Sequence, residues 1–319
     1  MKPFKQAVAL GTALAVLALA PAAMAQDYPT GPVKFVVTSA AGSPLDSMMR
    51  QLAKQVGEEL GQSTPVENRT GGSGAVAMSY VMSQPADGYN IMSVTGTTTF
   101  TLAQGKIPFK RDNFIFVRAL QTEPSAVAVR ADSPFKTLAD FVNALKDKPN
   151  SVRVGGFATA GFHQFVFYRL QQEAGIQAAW IPFDGGNEAA FALLGGHIDV
   201  AMMTPSSALA QVESGEIRLL AISTEERDEF FPDTPTFKEQ GQDVVEAIWR
   251  GVAVKADTPA PVLETLSGAM DKVEASDEWK AFMQQNKQSR AGWSIDEFQA
   301  QVENEIETRR EFLKAGGYL

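Results

Sequence analysis

Short apolar runs alternate with amphipathic helical patterns along most of the chain. Runs rich in β-branched residues and bounded by glycine or proline are typical of strands. These strands are predicted at 32–38, 65–67, 89–94, 126–129, 152–155, 179–183, 198–203 and 217–222. Strands that alternate with helices predict an α/β fold whose sheets are covered by helices on both faces.

Helical patterns lie between these runs and dominate after Pro259. The first helix has Ser43 as its N-cap, Pro44 in its first position and Asp46 at capping spacing, and it stops at Gly61. Further helices are predicted at 75–83, 137–146 and 162–174, between 187 and 195, between 205 and 215, at 262–273, and after Ser276 and Ser294. The stretch 95–125 is less regular.

The first 25 residues have the features of an export leader. A basic start precedes an apolar run at 7–20, and a small-residue cleavage pattern ends at Ala25. The run is shorter than the ~20 residues that a membrane-spanning helix needs. We therefore predict export and cleavage after Ala25, which leaves 294 of the 319 residues.

Charge and length narrow the class of protein. Removing Lys2 and Lys5 leaves 26 basic and 37 acidic residues, a net charge of −11, so nucleic acid is excluded as a partner. The absence of cysteine excludes disulfides and a thiolate site. The length predicts two lobes, which we place at 26–127 plus 249–319 and at 128–248. We expect the protein to be a monomer.

The residues required for common catalytic sites are missing. His163 and His197 are the only histidines, so the sequence predicts neither a catalytic triad nor a metal site. The stretch 72–77 matches a dinucleotide fingerprint formally, but no buried strand directly precedes it. We therefore expect no enzyme activity, no metal and no cofactor.

Small, glycine-rich or hydroxyl-rich segments recur where predicted strands end, at 39–43, 95–99, 155–161, 184–186 and 204–207. Ligands of open α/β sheets bind at the carboxyl ends of strands, and helix N-termini there offer free N–H groups. Together the five segments are consistent with a pocket for a small anion. The alternative is that they are only helix caps and turns.

Many short segments, in order along the chain, resemble one family. They include Tyr28 to Val37, Ala40-Ala41-Gly42, Val66-Glu67-Asn68-Arg69, Pro85 to Tyr89, Pro182 to Gly185, Leu193 to Asp199, Leu219 to Ser223, Pro232 to Thr236 and Trp249 to Val252. In this respect the chain resembles the tripartite tricarboxylate transporter solute-binding proteins, also called the Bug family.

The resemblance implies a two-lobed periplasmic binding protein fold, type II-like, in which each lobe is a parallel or mixed sheet flanked by helices and the ligand cleft lies between the lobes. It implies a small di-, tri- or aromatic carboxylate as ligand and a two-subunit integral-membrane permease as partner. The ligand-binding residues would be Ser39, Ala41, Gly42, Ser43, Asp46, Thr95, Thr97, Thr98, Thr159, Gly161, His163, Phe183, Asp184, Thr204 and Arg250.

Some assignments stay open at this point. Arg250 could bind a carboxylate bidentately or form a salt bridge at the surface of the hinge. Phe157, Phe162 or Phe183 could face an apolar ligand body or belong to the core. The protein could signal to a sensor kinase or chemoreceptor instead of a permease, and an exported enzyme on the same fold is the third reading.

Overall fold

The computed structural model describes residues 28–319, so the predicted leader lies outside the described part of the chain. The strands are β1 (Lys34–Val37), β2 (Val66–Asn68), β3 (Asn90–Thr95), β4 (Phe114–Pro124), β5 (Ala126–Arg130), β6 (Val154–Phe157), β7 (Trp180–Phe183), β8 (Val200–Met203), β9 (Ile217–Ile222), β10 (Ala247–Lys255) and β11 (Ser289–Arg290).

The helices follow the capping and stop residues in the sequence. They are α1 (Pro44–Leu60), α2 (Ala75–Ser83), α3 (Gly96–Gln104), α4 (Leu138–Asp147), α5 (Phe162–Ala174), α6 (Gly186–Leu194), α7 (Leu209–Glu213), α8 (Ala260–Ala275), α9 (Asp277–Gln285), α10 (Ile295–Thr308) and α11 (Arg310–Ala315). At the start of α1, the amide of Asp46 donates to Ser43 Oγ (3.2 Å), and at its end Gly61 takes the left-handed conformation with φ 63°.

The strands form two mixed sheets. The first has the order β11-β4-β10-β3-β1-β2, with β1, β2 and β3 parallel and β10 antiparallel to both of its neighbours. The second has the order β7-β6-β8-β5-β9, with β6, β7 and β8 parallel and β5 antiparallel to β8 and β9. The predicted α/β class with sheets flanked by helices is confirmed.

Both faces of each sheet are buried, as parallel strands require. In β1, Phe35 and Val37 belong to a core with α1, α8 and α9, whereas Val36 packs on the opposite face with α2 and α10. In the second sheet, α4 and α5 pack on one face and α6 on the other.

The chain passes between the sheets twice. Ser125 lies between β4 of the first sheet and β5 of the second, and residues 223–246 connect β9 back to β10 in the first. The two passages are hydrogen-bonded to each other, because the amide of Ser125 donates to Ser223 Oγ (2.8 Å). The lobe limits at 127/128 and 248/249 stay predictions, although Ala126 already pairs in the second sheet and Ala247 in the first.

The irregular stretch 95–125 contains two elements that the pattern did not predict. Residues 96–104 form α3 rather than a loop, and residues 114–124 form the long strand β4. Most of α3 is buried around its whole circumference and β4 lies between β10 and β11, so neither element shows a clear polar face. A periodic pattern of apolar and polar residues reveals a helix or strand only when one face of that element contacts water.

The last helix connects the two lobes. Phe312 of α11 contacts Phe100 of α3 and Phe165 of α5, with ring centroids 5.7 and 5.5 Å apart. Because α3 follows a strand of the first sheet and α5 a strand of the second, this aromatic cluster holds both lobes against the C-terminal segment.

We predict that Phe312→Ala lowers the free energy of unfolding by about 3–5 kcal/mol, because Phe312 is 3 % exposed and its removal leaves a cavity. Phe191→Ala is the matched control: Phe191 is 63 % exposed, so we expect a change within about 0.5 kcal/mol. Guanidinium denaturation measures both variants. Equal effects would show that the cluster does not stabilise the fold.

Candidate ligand cleft

The carboxyl ends of the parallel strands of both sheets face each other across a cleft. Residues 38–43 follow β1 and Thr95 ends β3 in the first lobe, while 158–161, 184–185 and Thr204 follow β6, β7 and β8 in the second. The segments that the sequence singled out therefore lie together, as the rule for open α/β sheets predicts.

Four helices of eight or more residues begin at this cleft: α1, α3, α5 and α6. The first N–H groups of a helix have no partner within the helix, and its N-terminus is positive. In α1 and α3 the N-caps Ser43 and Thr95 accept one of these N–H groups. In α5 and α6 the N-caps are Gly161 and Gly185, which supply no side-chain cap. Thr97 Oγ1 accepts the first N–H group of α5, so the N–H groups that remain at these two helix starts can bind an anion.

The cleft contains a small space of about 30 Å³, which we call the inner cavity. Six of the predicted binding residues line it: Ser39, Ser43, Thr95, His163, Thr204 and Arg250. Three further lining residues were considered without being named as binding residues: Phe157 as a possible apolar contact, and Gly186 and Ser207 within the segments 184–186 and 204–207. The sequence reasoning missed the other three, Pro44, Leu45 and Ile248. The order of strands brings these residues together, and no spacing along the chain indicates it.

A larger space of about 370 Å³, the outer cavity, lies at the mouth of the cleft. Three predicted residues line it, Thr159, Phe183 and Asp184, together with Glu188 and the glycine-rich segment 71–74. Phe157 borders both cavities, so one of the three phenylalanines considered for an apolar ligand body reaches the cleft interior, and Phe183 reaches its mouth. Phe162 is 1 % exposed and belongs to the core.

The remaining predicted residues support the loops or join the lobes. Thr98 Oγ1 accepts the amide of Thr95 (3.0 Å), and Thr97 Oγ1 accepts the amide of Phe162 across the cleft (3.2 Å). Gly161 is packed so closely that an added Cβ would lie 3.0 Å from Thr97 Cγ2. The carbonyl of Ala41 accepts from Asn187 Nδ2 (3.2 Å).

Asp46 holds the first loop in place. Its carboxylate is buried and accepts hydrogen bonds from the amide of Gly42 (2.8 Å), from Asn68 Nδ2 (2.8 Å) and from Arg50 Nε (2.9 Å). Burial by itself would raise the pKa of this carboxyl, but Arg50, Gly42 and Asn68 together lower it below its usual value. These contacts explain the shape of the loop; direct contact of Asp46 or Gly42 with a ligand stays a prediction.

Hydrogen bonds close the cleft on both sides of the cavities. The amide of Ala40 donates to the carbonyl of Asp184 (3.1 Å), and Ser73 Oγ donates to the carbonyl of Thr159 (2.8 Å). Together with the bonds of Thr97 and Ala41 they join the first lobe to the second. The two lobes are therefore in a closed arrangement.

Arg250 lies at the base of the inner cavity and is only 4 % exposed. It forms a buried ion pair with Glu123, which is 3 % exposed, and its Nη2 donates to Thr204 Oγ1 (3.2 Å). Glu123 Oε2 also accepts from Ser206 Oγ (2.8 Å) and Gln288 Nε2 (3.0 Å). The salt bridge of Arg250 is therefore buried in the cleft and does not lie at the surface of the hinge, whereas direct contact of Arg250 with a ligand stays a prediction.

Glu123 is the charged residue that the sequence reasoning missed. It lies in the stretch without a regular pattern, and Arg250 is 127 positions away. The pairing of β4 with β10 brings the two side chains together. Such a contact between distant strands leaves no local pattern in the sequence.

His163 is buried beside Arg250 at the inner cavity. Its Nδ1 is hydrogen-bonded to Ser125 Oγ (2.8 Å), at one of the two passages between sheets. Burial, and secondly the charge of Arg250, lower the pKa of His163 from 6.5 to about 3. His163 is therefore a neutral polar group at neutral pH and adds no positive charge to the cleft.

Among the described residues 28–319, no group of three His, Asp or Glu side chains is placed to share a metal ion. No helix in that part of the chain is long and apolar enough to cross a bilayer.

The chain is similar to known proteins in sequence and in structure. A family model described as tripartite tricarboxylate transporter family receptor matches residues 48–315. The UPF0065 protein in the TAR-I ttuE-ttuC' intergenic region of Agrobacterium vitis is 32 % identical over 252 residues, which cover 78 % of this chain and 73 % of that protein.

Solved structures share the two-lobed fold. The R. palustris protein Rpa4515, solved with adipate, is 25 % identical with a TM-score of 0.85 and coverage of 91 % of this chain and 99 % of that one. MatC from Rhodopseudomonas palustris, solved with malate, is 22 % identical with a TM-score of 0.84 and coverage of 89 % and 99 %.

The lowered pKa of His163 predicts that the folded protein loses stability in acid. An unfolded histidine takes up a proton near pH 6.5, whereas folded His163 stays neutral to about pH 3. Acid therefore favours the unfolded state, by about 1.4 kcal/mol for each pH unit between these limits. We expect His163→Asn to remove this part of the pH dependence.

Denaturant unfolding between pH 7 and pH 4 tests this, with the slope against pH as the readout rather than the absolute stability. His197→Asn is the control, because His197 is exposed and should leave the slope unchanged. A slope that His163→Asn does not reduce would contradict the prediction.

Proposed function

Because the chain belongs to the tripartite tricarboxylate transporter receptor family, we propose that it is a periplasmic receptor that captures a small carboxylate between its lobes and delivers it to a two-subunit membrane permease. Residues 1–25 would be the export leader, cleaved after Ala25. The protein would bind its ligand without converting it.

The convergence of helix N-termini at the inner cavity carries this proposal. Gly186 in the first turn of α6 and His163 in the first turn of α5 both border the cavity, where the N–H groups of each helix start have no partner within the helix. A carboxylate there would accept these N–H groups and meet the positive ends of both helices. The hydroxyls of Ser39, Thr95 and Ser207 add further donors.

Opening and closing of the lobes would couple binding to recognition by the permease. The inner cavity of about 30 Å³ is far below the ~300 Å³ of a typical small-molecule pocket, so the lobes must separate to admit a ligand and would close around it less tightly than in the arrangement described. A ligand that contacts both lobes stabilises the closed arrangement. The relative solved with adipate supports a carboxylate as the ligand class.

The first test is a thermal-shift screen of the chain without residues 1–25 against mono-, di-, tri- and aromatic carboxylates. A ligand at 100 times its dissociation constant should stabilise the protein by about 2.7 kcal/mol. The corresponding carboxamides, which lack the negative charge, serve as matched controls. No stabilisation by any carboxylate, or equal stabilisation by the amides, would refute the proposed function. Conversion of a bound carboxylate by the purified protein would refute the absence of catalysis.

The second test places the ligand in the inner cavity. A methyl group on residue 186 would clash with Ser207 Oγ, so Gly186→Ala forces Ser207 to move and fills part of the cavity. We expect the affinity for the best carboxylate of the screen to fall at least about tenfold, or 1.4 kcal/mol, by calorimetric titration. Gly268→Ala is the control, because that methyl group meets open space in α8. Unchanged affinity in Gly186→Ala would place the ligand elsewhere.

A further inference from the structure

The charged groups around the cleft limit which carboxylates the cleft can bind. The wall of the inner cavity contains two titratable side chains, His163 and Arg250. His163 is neutral at physiological pH because of its burial, and the charge of Arg250 is balanced by Glu123 in their buried ion pair. Ionised side chains therefore leave no net positive charge at this cavity.

The positive potential that remains comes from the helix N-termini. Each contributes the equivalent of about half an elementary charge within its first turn. Thr97 Oγ1 accepts the first N–H group of α5, and the carboxylate of Glu188 lies in the first turn of α6. The starts of α5 and α6 together therefore balance at most about one negative charge. A second carboxylate in the same cavity would give up contacts with water and find no further positive partner among the lining residues, which is unfavourable.

The outer cavity does not accommodate a second carboxylate either. Its wall contains two carboxylates, Asp184 and Glu188, and no lysine or arginine among the described residues. A ligand long enough to reach past Phe157 would bring a second carboxylate against two like charges. Juxtaposed like charges oppose binding and reject the wrong partner.

The rest of the inner wall is suited to an apolar group. Pro44, Leu45, Phe157 and Ile248 line it beside the polar residues. Phe157 extends this apolar surface to the outer cavity. Such a wall binds the hydrocarbon chain or ring of a ligand.

We propose that the ligand is a monocarboxylate with an uncharged apolar body, held by its single carboxylate at the starts of α5 and α6. This inference rests on the proposed function, because it specifies the ligand class of the same site. Asp184 and Glu188 then act as specificity-determining residues that exclude dicarboxylates.

Calorimetric titration of the chain without residues 1–25 tests this ligand class. Two pairs of ligands are compared, hexanoate against adipate and benzoate against terephthalate. The second ligand of each pair differs from the first by carrying one more carboxylate. We expect the monocarboxylate of the better-binding pair to bind at least about tenfold more tightly than its dicarboxylate. Equal or tighter binding of the dicarboxylate would overturn the inference and leave the proposed function intact. Failure of every carboxylate, including those of the wider screen, would refute both.

A charge reversal at the mouth of the cleft tests the repulsion directly. The side chain of Asp184 is exposed, so Asp184→Lys should fold normally, and it should raise the affinity for adipate relative to hexanoate at least about tenfold. Asp147→Lys is the matched control: Asp147 is also exposed, ends α4 and borders neither cavity, so the ratio should not change. An unchanged ratio in Asp184→Lys, or an equal change in both variants, would overturn the assigned role of Asp184.

Discussion

The buried ion pair between Arg250 and Glu123 is the interaction on which the rest of the cleft depends. Its two residues lie on the adjacent strands β10 and β4, and its hydrogen bonds reach Thr204 and Ser206 in the other lobe. A buried charge without its partner costs several kcal/mol, so neither residue can leave this arrangement alone. The pair thus connects the base of the cleft to both lobes and sets the local charge to zero.

The neutral ion pair at the bottom of the cleft explains how an acidic chain can hold an anion. The whole sequence carries a net charge of −9, but distant charges are screened and a bound carboxylate responds mainly to the groups within a few ångströms. There the partial charges of helix N-termini provide the positive potential, since His163 is neutral and Arg250 is paired. The site can therefore be selective in the number of negative charges it accepts as well as in their position.

Much of the local structure could be predicted from the sequence. The helix predicted at 162–174 has the observed limits of α5, because Gly161 and Gly175 flank a continuous helical pattern. The glycine-rich and hydroxyl-rich segments do lie at the carboxyl ends of strands, and six of the predicted residues share the inner cavity. The stretch 95–125 was not predicted because α3 and β4 are buried on nearly all sides and show no amphipathic period.

By itself, the sequence determined the α/β class, the loops that could hold an anion and, through its resemblance, the family, because strand and helix signals and family motifs are local properties of the chain. Only the tertiary structure decided which of these loops meet, that Glu123 neutralises Arg250, and that Asp46 supports a loop. The physical reason is that these contacts join residues of different strands and lobes. Their energies depend on distance and burial in the folded molecule, which no spacing along the chain encodes.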